Sequence, residues 1–97
     1  MATFILLADY SDQGIRTIKD SPKRLDAARD TAKRFGATIK DFYLCLGMHD
    51  IIAIVEADSD DAMAKFALSL GSVGAVRTTT LRAFGEPEYR KIMGELT

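Results

Sequence analysis

The chain has 97 residues, 47% hydrophobic and 28% charged, with 13 basic and 14 acidic side chains and a net charge of −1. That balance predicts one globular domain over residues 1–97 and excludes a disordered chain; the interspersed charges argue against nucleic acid or a membrane surface as partner. Cys45 is the single cysteine, no apolar run approaches the ~20 residues that cross a bilayer, and the start lacks a secretory pattern, so a soluble cytoplasmic protein is expected.

Residues 3–10 read as a strand. Both of its alternating sets are apolar, Phe4/Leu6/Ala8/Tyr10 and Ile5/Leu7, which suits a strand covered on two faces in the middle of a sheet. A polar connection follows, in which Ser11 caps a helical turn that directs Ile15 and Ile18 inward. Arg16 and Lys19 lie in the same piece, either solvated or facing a ligand.

The first long helix is expected over 22–35, with Ser21 as N-cap and Pro22 at the first helical position. Leu25, Ala28, Ala32 and Phe35 make its apolar stripe, and Gly36 supplies the left-handed residue that stops it. A second strand covers 38–46: Lys40 and Asp41 suit a position near an edge, whereas Phe42 to Leu46 is nearly all apolar and requires cover. A tight joint at Gly47 then leads into Asp50–Ala57, implying an antiparallel hairpin.

Asp58-Ser59-Asp60-Asp61 is an acidic helix start, since carboxylates stabilise the positive end of the helix dipole. It lacks the alternating ligands, mid-loop glycine and final glutamate of a calcium loop. The helix should bury Ala62, Met63, Phe66, Ala67 and Leu70 and end at Gly71. Val76–Phe84 is a fourth strand, rich in β-branched residues. A last helix begins near Glu86-Pro87, with Tyr89, Ile92, Met93 and Leu96 on one side.

The order β-α-β-β-α-β plus a helix predicts an α+β, ferredoxin-like, four-stranded antiparallel sheet with two helices on one face. The first and third strands then lie centrally, yet they carry large apolar groups on both faces. Leaving several of these in water would forgo roughly 1.5–3 kcal/mol each. The C-terminal helix hides part of that surface, and a second sheet packed face to face, in a two-fold homodimer or a larger homo-oligomer, hides the rest.

Several stretches also follow one known pattern: Thr3-Phe4-Ile5, Asp12-Gln13-Gly14-Ile15, Asp20-Ser21-Pro22-Lys23-Arg24, Leu46-Gly47-Met48-His49-Asp50, Ile54-Val55-Glu56-Ala57 and Val76–Phe84. On these, the chain resembles the GYD domain family, small bacterial proteins of the dimeric α/β-barrel type, over nearly its whole length. Gly47 and Asp50 match the naming motif, while His49 stands where tyrosine is expected. A packing or hydrogen-bonding role survives that exchange; one requiring a phenol does not. The resemblance implies fold and assembly and leaves the chemistry open, since other barrels of this type include monooxygenases, isomerases and small-ligand sensors.

His49 beside Asp50 is the first candidate site, because a carboxylate that orients an imidazole suits acid–base work near neutral pH. Neighbours in a strand point to opposite faces, however, so Asp50 can instead bond turn backbone while His49 packs at the barrel mouth. Arg77 and Arg82, five apart, lie on opposite faces of the fourth strand. A buried one needs an anion, either Asp9 or Glu56 across a dimer or a ligand's carboxylate or phosphate. Thr78 and Thr80 share the face of Arg82, and Tyr10 and Tyr43 either line a cavity or fill core. Cys45 reads as a small buried hydrophobe. The ligand spacing predicts no metal and no cofactor, and Gly71-Ser72-Val73-Gly74 lacks the lysine of a phosphate-binding loop. The leading expectation is a homodimer holding a small organic molecule in or beside the inter-sheet cavity. The alternatives are a cofactor-free isomerase or monooxygenase using His49 as acid or base, and a purely structural module.

Overall fold

The computed structural model describes residues 1–96. Its elements are β1 (Ala2–Tyr10), α1 (Asp12–Arg16), a short 3-10 helix (Ile18–Asp20), α2 (Ser21–Arg34), β2 (Ala37–Leu44), β3 (Ile51–Ala57), α3 (Asp60–Val73), β4 (Val76–Ala83) and α4 (Glu86–Gly94). The strands form one antiparallel sheet in the order β2-β3-β1-β4, so the two most apolar strands are central, as expected.

Register assigns every strand residue to a face. Phe4, Leu6 and Ala8 pair with Val55, Ala53 and Ile51, and all six are buried under the helices. Ala37 and Ile39 of β2, Ala32 of α2 and Ala62, Met63 and Phe66 of α3 complete this core. Phe66, Met63 and Val55 are its largest fully enclosed side chains. The opposite face carries Ile5 against Ile54 and Leu7 against Ile52, with Leu81 and Tyr43 in register beside them. The first four are half-buried, and Leu81 and Tyr43 are exposed. Among the described residues, no helix covers these groups.

Capping follows the sequence at two starts. The Ser11 hydroxyl accepts from the Gly14 N–H, and that of Ser59 accepts from the Ala62 N–H. Gly36, at φ 80°, follows α2 as expected. Ser21, by contrast, lies inside α2 and does not cap it: its hydroxyl meets that of Tyr10 at 2.9 Å, and Asp20 takes the cap position without a side-chain bond. Gly71 does not end α3 either. The helix continues to Val73 and stops at Gly74, whose φ of 93° is the left-handed conformation.

Four further expectations are corrected. Ile15 and Ile18 are exposed, because the buried point of α1 is Gly14. A Cβ on Gly14 would lie 1.9 Å from the Ala75 carbonyl oxygen, and backbone contact that close leaves the flanking side chains pointing outward. The joint after β2 is a loop from Cys45 to Asp50, closed by the Cys45 N–H donating to the Asp50 carbonyl at 2.7 Å, and is not a tight turn. Leu44 and Leu46 are exposed, because none of the described residues covers the hairpin tip. Finally, α4 buries none of its residues and leaves Tyr89, Ile92, Met93 and Leu96 open to solvent. The projecting helix and hairpin make the molecule long, 52 × 31 × 17 Å with a radius of gyration of 14.5 Å, against about 13 Å for a compact chain of this length.

Candidate functional site

The loop between β2 and β3 meets the end of β1, where two consecutive residues serve opposite faces. Asp9 belongs to the open face, with Leu7 and Ile5; Tyr10 belongs to the helix face, with Ala8. β3 begins only at Ile51, opposite Ala8, so the last two residues of β1 have no ladder partner on that side. Asp50 supplies one. Its carboxylate accepts the Tyr10 N–H at 3.0 Å, and its own N–H donates to Asp9 Oδ1 and to the Ala8 carbonyl, both at 3.2 Å. Asp50 therefore extends the ladder with a side chain and bonds strand backbone.

The partner of His49 is Asp9. Nδ1 lies 3.2 Å from Asp9 Oδ2 and 3.3 Å from Oδ1, with both side chains part-exposed at the rim of the open face. An ionised carboxylate has no proton to give, so Nδ1 carries the hydrogen, and in the neutral ring Nε2 is left as a free base. Asp9 was visible in the sequence as an acidic residue ending an apolar strand, but forty residues of separation hid its link to His49.

The remaining candidates are dispersed. Arg77 sits on the open face opposite Asp9 and is exposed. Arg82, on the other face, lies 5.6 Å from the Phe4 ring centre and 4.5 Å from that of Phe84, and reaches Glu88 at 3.7 Å. Its ring stacking and its bonds to the Thr3 and Ala83 carbonyls account for its position. Glu56 is taken by Lys40 at 3.8 Å. Thr78 is half-buried and Thr80 exposed, both on the helix side of β4. Tyr43 lies exposed on the open face. Cys45 is half-buried, its Sγ 3.9 Å from the Tyr43 carbonyl oxygen, because the loop around it is not packed under any element.

A cleft of about 370 Å³ opens between the two long helices and the sheet. Leu6, Ala8 and Ala53 form part of its floor, Leu25 and Ala28 one wall and Leu70 the other, and Tyr10 is the one predicted site residue that reaches it. The cleft lies on the helix side of the sheet, over the small residues Ala8 and Ala53, and is a different place from the inter-sheet cavity expected of a dimer. Ser21, expected as the cap of α2, and Arg24 and Arg34, which lie outside its apolar stripe, also line it. A second hollow of about 380 Å³ lies between α2 and β2, where Asp26, Arg29, Asp30 and Lys33 meet Thr38 and Ile39 and the four charges compensate one another.

Strand order, helix placement and antiparallel register define a ferredoxin-like α+β chain. The GYD domain family model matches residues 4–93, and the chain belongs to that family. It is 36% identical over 84 residues to the glutamine synthetase and cystathionine beta-lyase binding protein of Thermus thermophilus, a match spanning 86% of this chain and 88% of that protein. Two solved structures share the fold. One, also from Thermus thermophilus, is 21% identical with a TM-score of 0.57, covering 88% of this chain and 95% of the other. The second, FFRP-DM1, is 20% identical with a TM-score of 0.62, covering 87% of this chain and 100% of the other. Among the described residues, no helix is long and apolar enough to cross a membrane.

Proposed function

We propose that this chain is a homodimeric binding protein of the dimeric α/β-barrel type, acting on partners without turnover of its own. The observation that carries this reading is the open face of the sheet, where Ile5, Leu7, Ile52, Ile54 and Leu81 form one apolar surface with no helix or strand of the described residues above it. A two-fold copy laid on that surface buries the same residues from both sides. In such a dimer the rim residues Asp9, His49, Arg77 and Tyr43 border the joined sheets.

The dimer is proposed to hold a small organic molecule and to engage a partner protein. The cleft between helices and sheet has a volume within the ordinary range of ligand pockets, ~300–1,000 Å³. The name of the Thermus thermophilus relative, which specifies two bound enzymes, supports a protein partner of that kind. Native mass spectrometry of the gently purified protein tests the reading in one experiment: a dimer carrying a co-purified small molecule supports it, and a bare monomer contradicts it.

One observation favours a second reading, a cofactor-free isomerase or monooxygenase. The Asp9–His49 contact at 3.2 Å leaves Nε2 available as a general base, with Arg77 on the same face to receive an anionic substrate. Turnover abolished by His49→Ala and retained in Phe66→Leu at equal folded concentration would establish this alternative in place of the first.

A further inference from the structure

The helix–sheet cleft is chemically one-sided. Arg24 and Arg34 both line it, and among the described residues no carboxylate does, in a chain with 14 acidic side chains against 13 basic ones. A cationic ligand would find two guanidinium groups and no counter-charge there.

Three of the polar lining residues, Tyr10, Ser21 and Arg24, come from the end of β1 and the start of α2. Ser21 and Arg24 are three apart on α2 and share a face. The Tyr10 hydroxyl stands 2.9 Å from the Ser21 hydroxyl, and since one of the pair donates to the other, one proton remains free for a third group. Arg24 is fixed in advance: its Nη atoms donate to the Gly14 carbonyl at 3.2 Å, the Thr17 carbonyl at 3.1 Å and Thr17 Oγ1 at 3.0 Å. Those three bonds leave two of the five guanidinium donors unused. A cation held rigidly by neutral acceptors keeps its full charge and loses little freedom when an anion arrives.

We propose that the cleft binds an amphipathic organic anion. Its carboxylate, or a comparable anionic head, is received by Arg24 with the Tyr10 and Ser21 hydroxyls as further donors, and its apolar body lies along Leu6, Ala53 and Leu70. The proposal rests on the ligand-binding reading above and adds the chemical class and the orientation of the ligand. It assigns to Tyr10 a role at the ligand's head.

Titration of the full chain with octanoate, octanol and octylamine, followed by residue-resolved NMR, tests it. Octanoate is expected to shift the resonances of Leu6, Ala28, Ala53 and Leu70 and to bind at least about tenfold tighter than octanol, the scale of one charge-assisted hydrogen bond. Octylamine is expected to bind weakest. Tyr10→Phe keeps the ring and should weaken octanoate severalfold while leaving octanol unchanged; Arg24→Gln should erase the preference for the acid; Ala28→Leu, which fills the cleft, should block all three. Equal affinity for octanol and octanoate would overturn the anion assignment and leave the ligand-binding reading standing. Octanoate shifts confined to the open sheet face would overturn the cleft as the site. Failure of all three probes at millimolar concentration would overturn this proposal together with the cleft-binding reading.

Discussion

Replacing Gly14 by alanine puts a methyl group 1.9 Å from the Ala75 carbonyl oxygen, where backbone meets backbone and no rotamer relieves the clash. The segments must separate, and two bonds cross their contact: the Ser11 N–H donates to the Ala75 carbonyl at 3.0 Å, and the Ser11 hydroxyl donates to the Gly74 carbonyl. At about 1 kcal/mol each, their loss amounts to ~2 kcal/mol, a large share of the ~5–15 kcal/mol that holds an ordinary domain together. Gly71→Ala is the matched control, because its Cβ meets nothing within 4 Å inside α3, and alanine in a helix gains up to ~1 kcal/mol over glycine. Urea unfolding followed by circular dichroism at one fixed protein concentration should show Gly14→Ala markedly destabilised and Gly71→Ala unchanged or stabilised. If the two variants unfold with the same midpoint, the close approach of α1 to the start of β4 is not a feature of the folded protein.

Three other outcomes follow from the same structure. Phe66, fully enclosed beneath the helices, should cost about 3–5 kcal/mol when truncated to alanine, read as a lower urea midpoint; a cost under ~1 kcal/mol would mean the core collapses around the gap. Asp50→Ala removes the acceptor of the Tyr10 N–H and should destabilise by roughly 1–2 kcal/mol while raising amide exchange at Tyr10. His49→Ala leaves Asp9 bonded to the Asp50 N–H, so stability should change by less than ~1 kcal/mol; a larger loss by the same unfolding assay would make His49 a structural residue and not a site residue.

The fold was legible because its signals are local or periodic. β1 and β3 announce themselves by apolar residues in both alternating sets, and the register then distributes these between a helix-covered face and an open one. Ser59 and Gly36 sit where capping chemistry puts them. The misplaced boundaries have tertiary causes. Ser21 has the chemistry of an N-cap, but a partner eleven residues earlier, Tyr10, claims its hydroxyl. Gly71 looks like a stop, yet Gly74 is the residue whose φ of 93° calls for glycine, and α3 runs through Gly71 unhindered.

Site chemistry was less legible, for the same reason. His49 and Asp50 are adjacent in sequence and unpaired in space, whereas His49 and Asp9 are forty residues apart and 3.2 Å from contact to contact. Arg24 stands out in the sequence by no pattern of its own, and its bonds to Gly14 and Thr17, ten and seven residues earlier, are what place it beside the cleft. The bulge between Ile39 and Asp41 shifts the strand after Lys40. Consecutive residues alternate in any strand, and this shift decides which goes where: Tyr43 onto the open face and Leu44, exposed, onto the helix side.

Sedimentation equilibrium of the wild-type chain beside Leu7→Asp and Ile54→Asp tests the assembly most directly. Both substitutions put a carboxylate on the open face and leave the residues packed beneath the helices untouched. The wild type should sediment as a dimer and both variants as folded monomers at micromolar concentration. A wild-type monomer, or variants that dimerise as tightly as the parent, would contradict the proposed dimer.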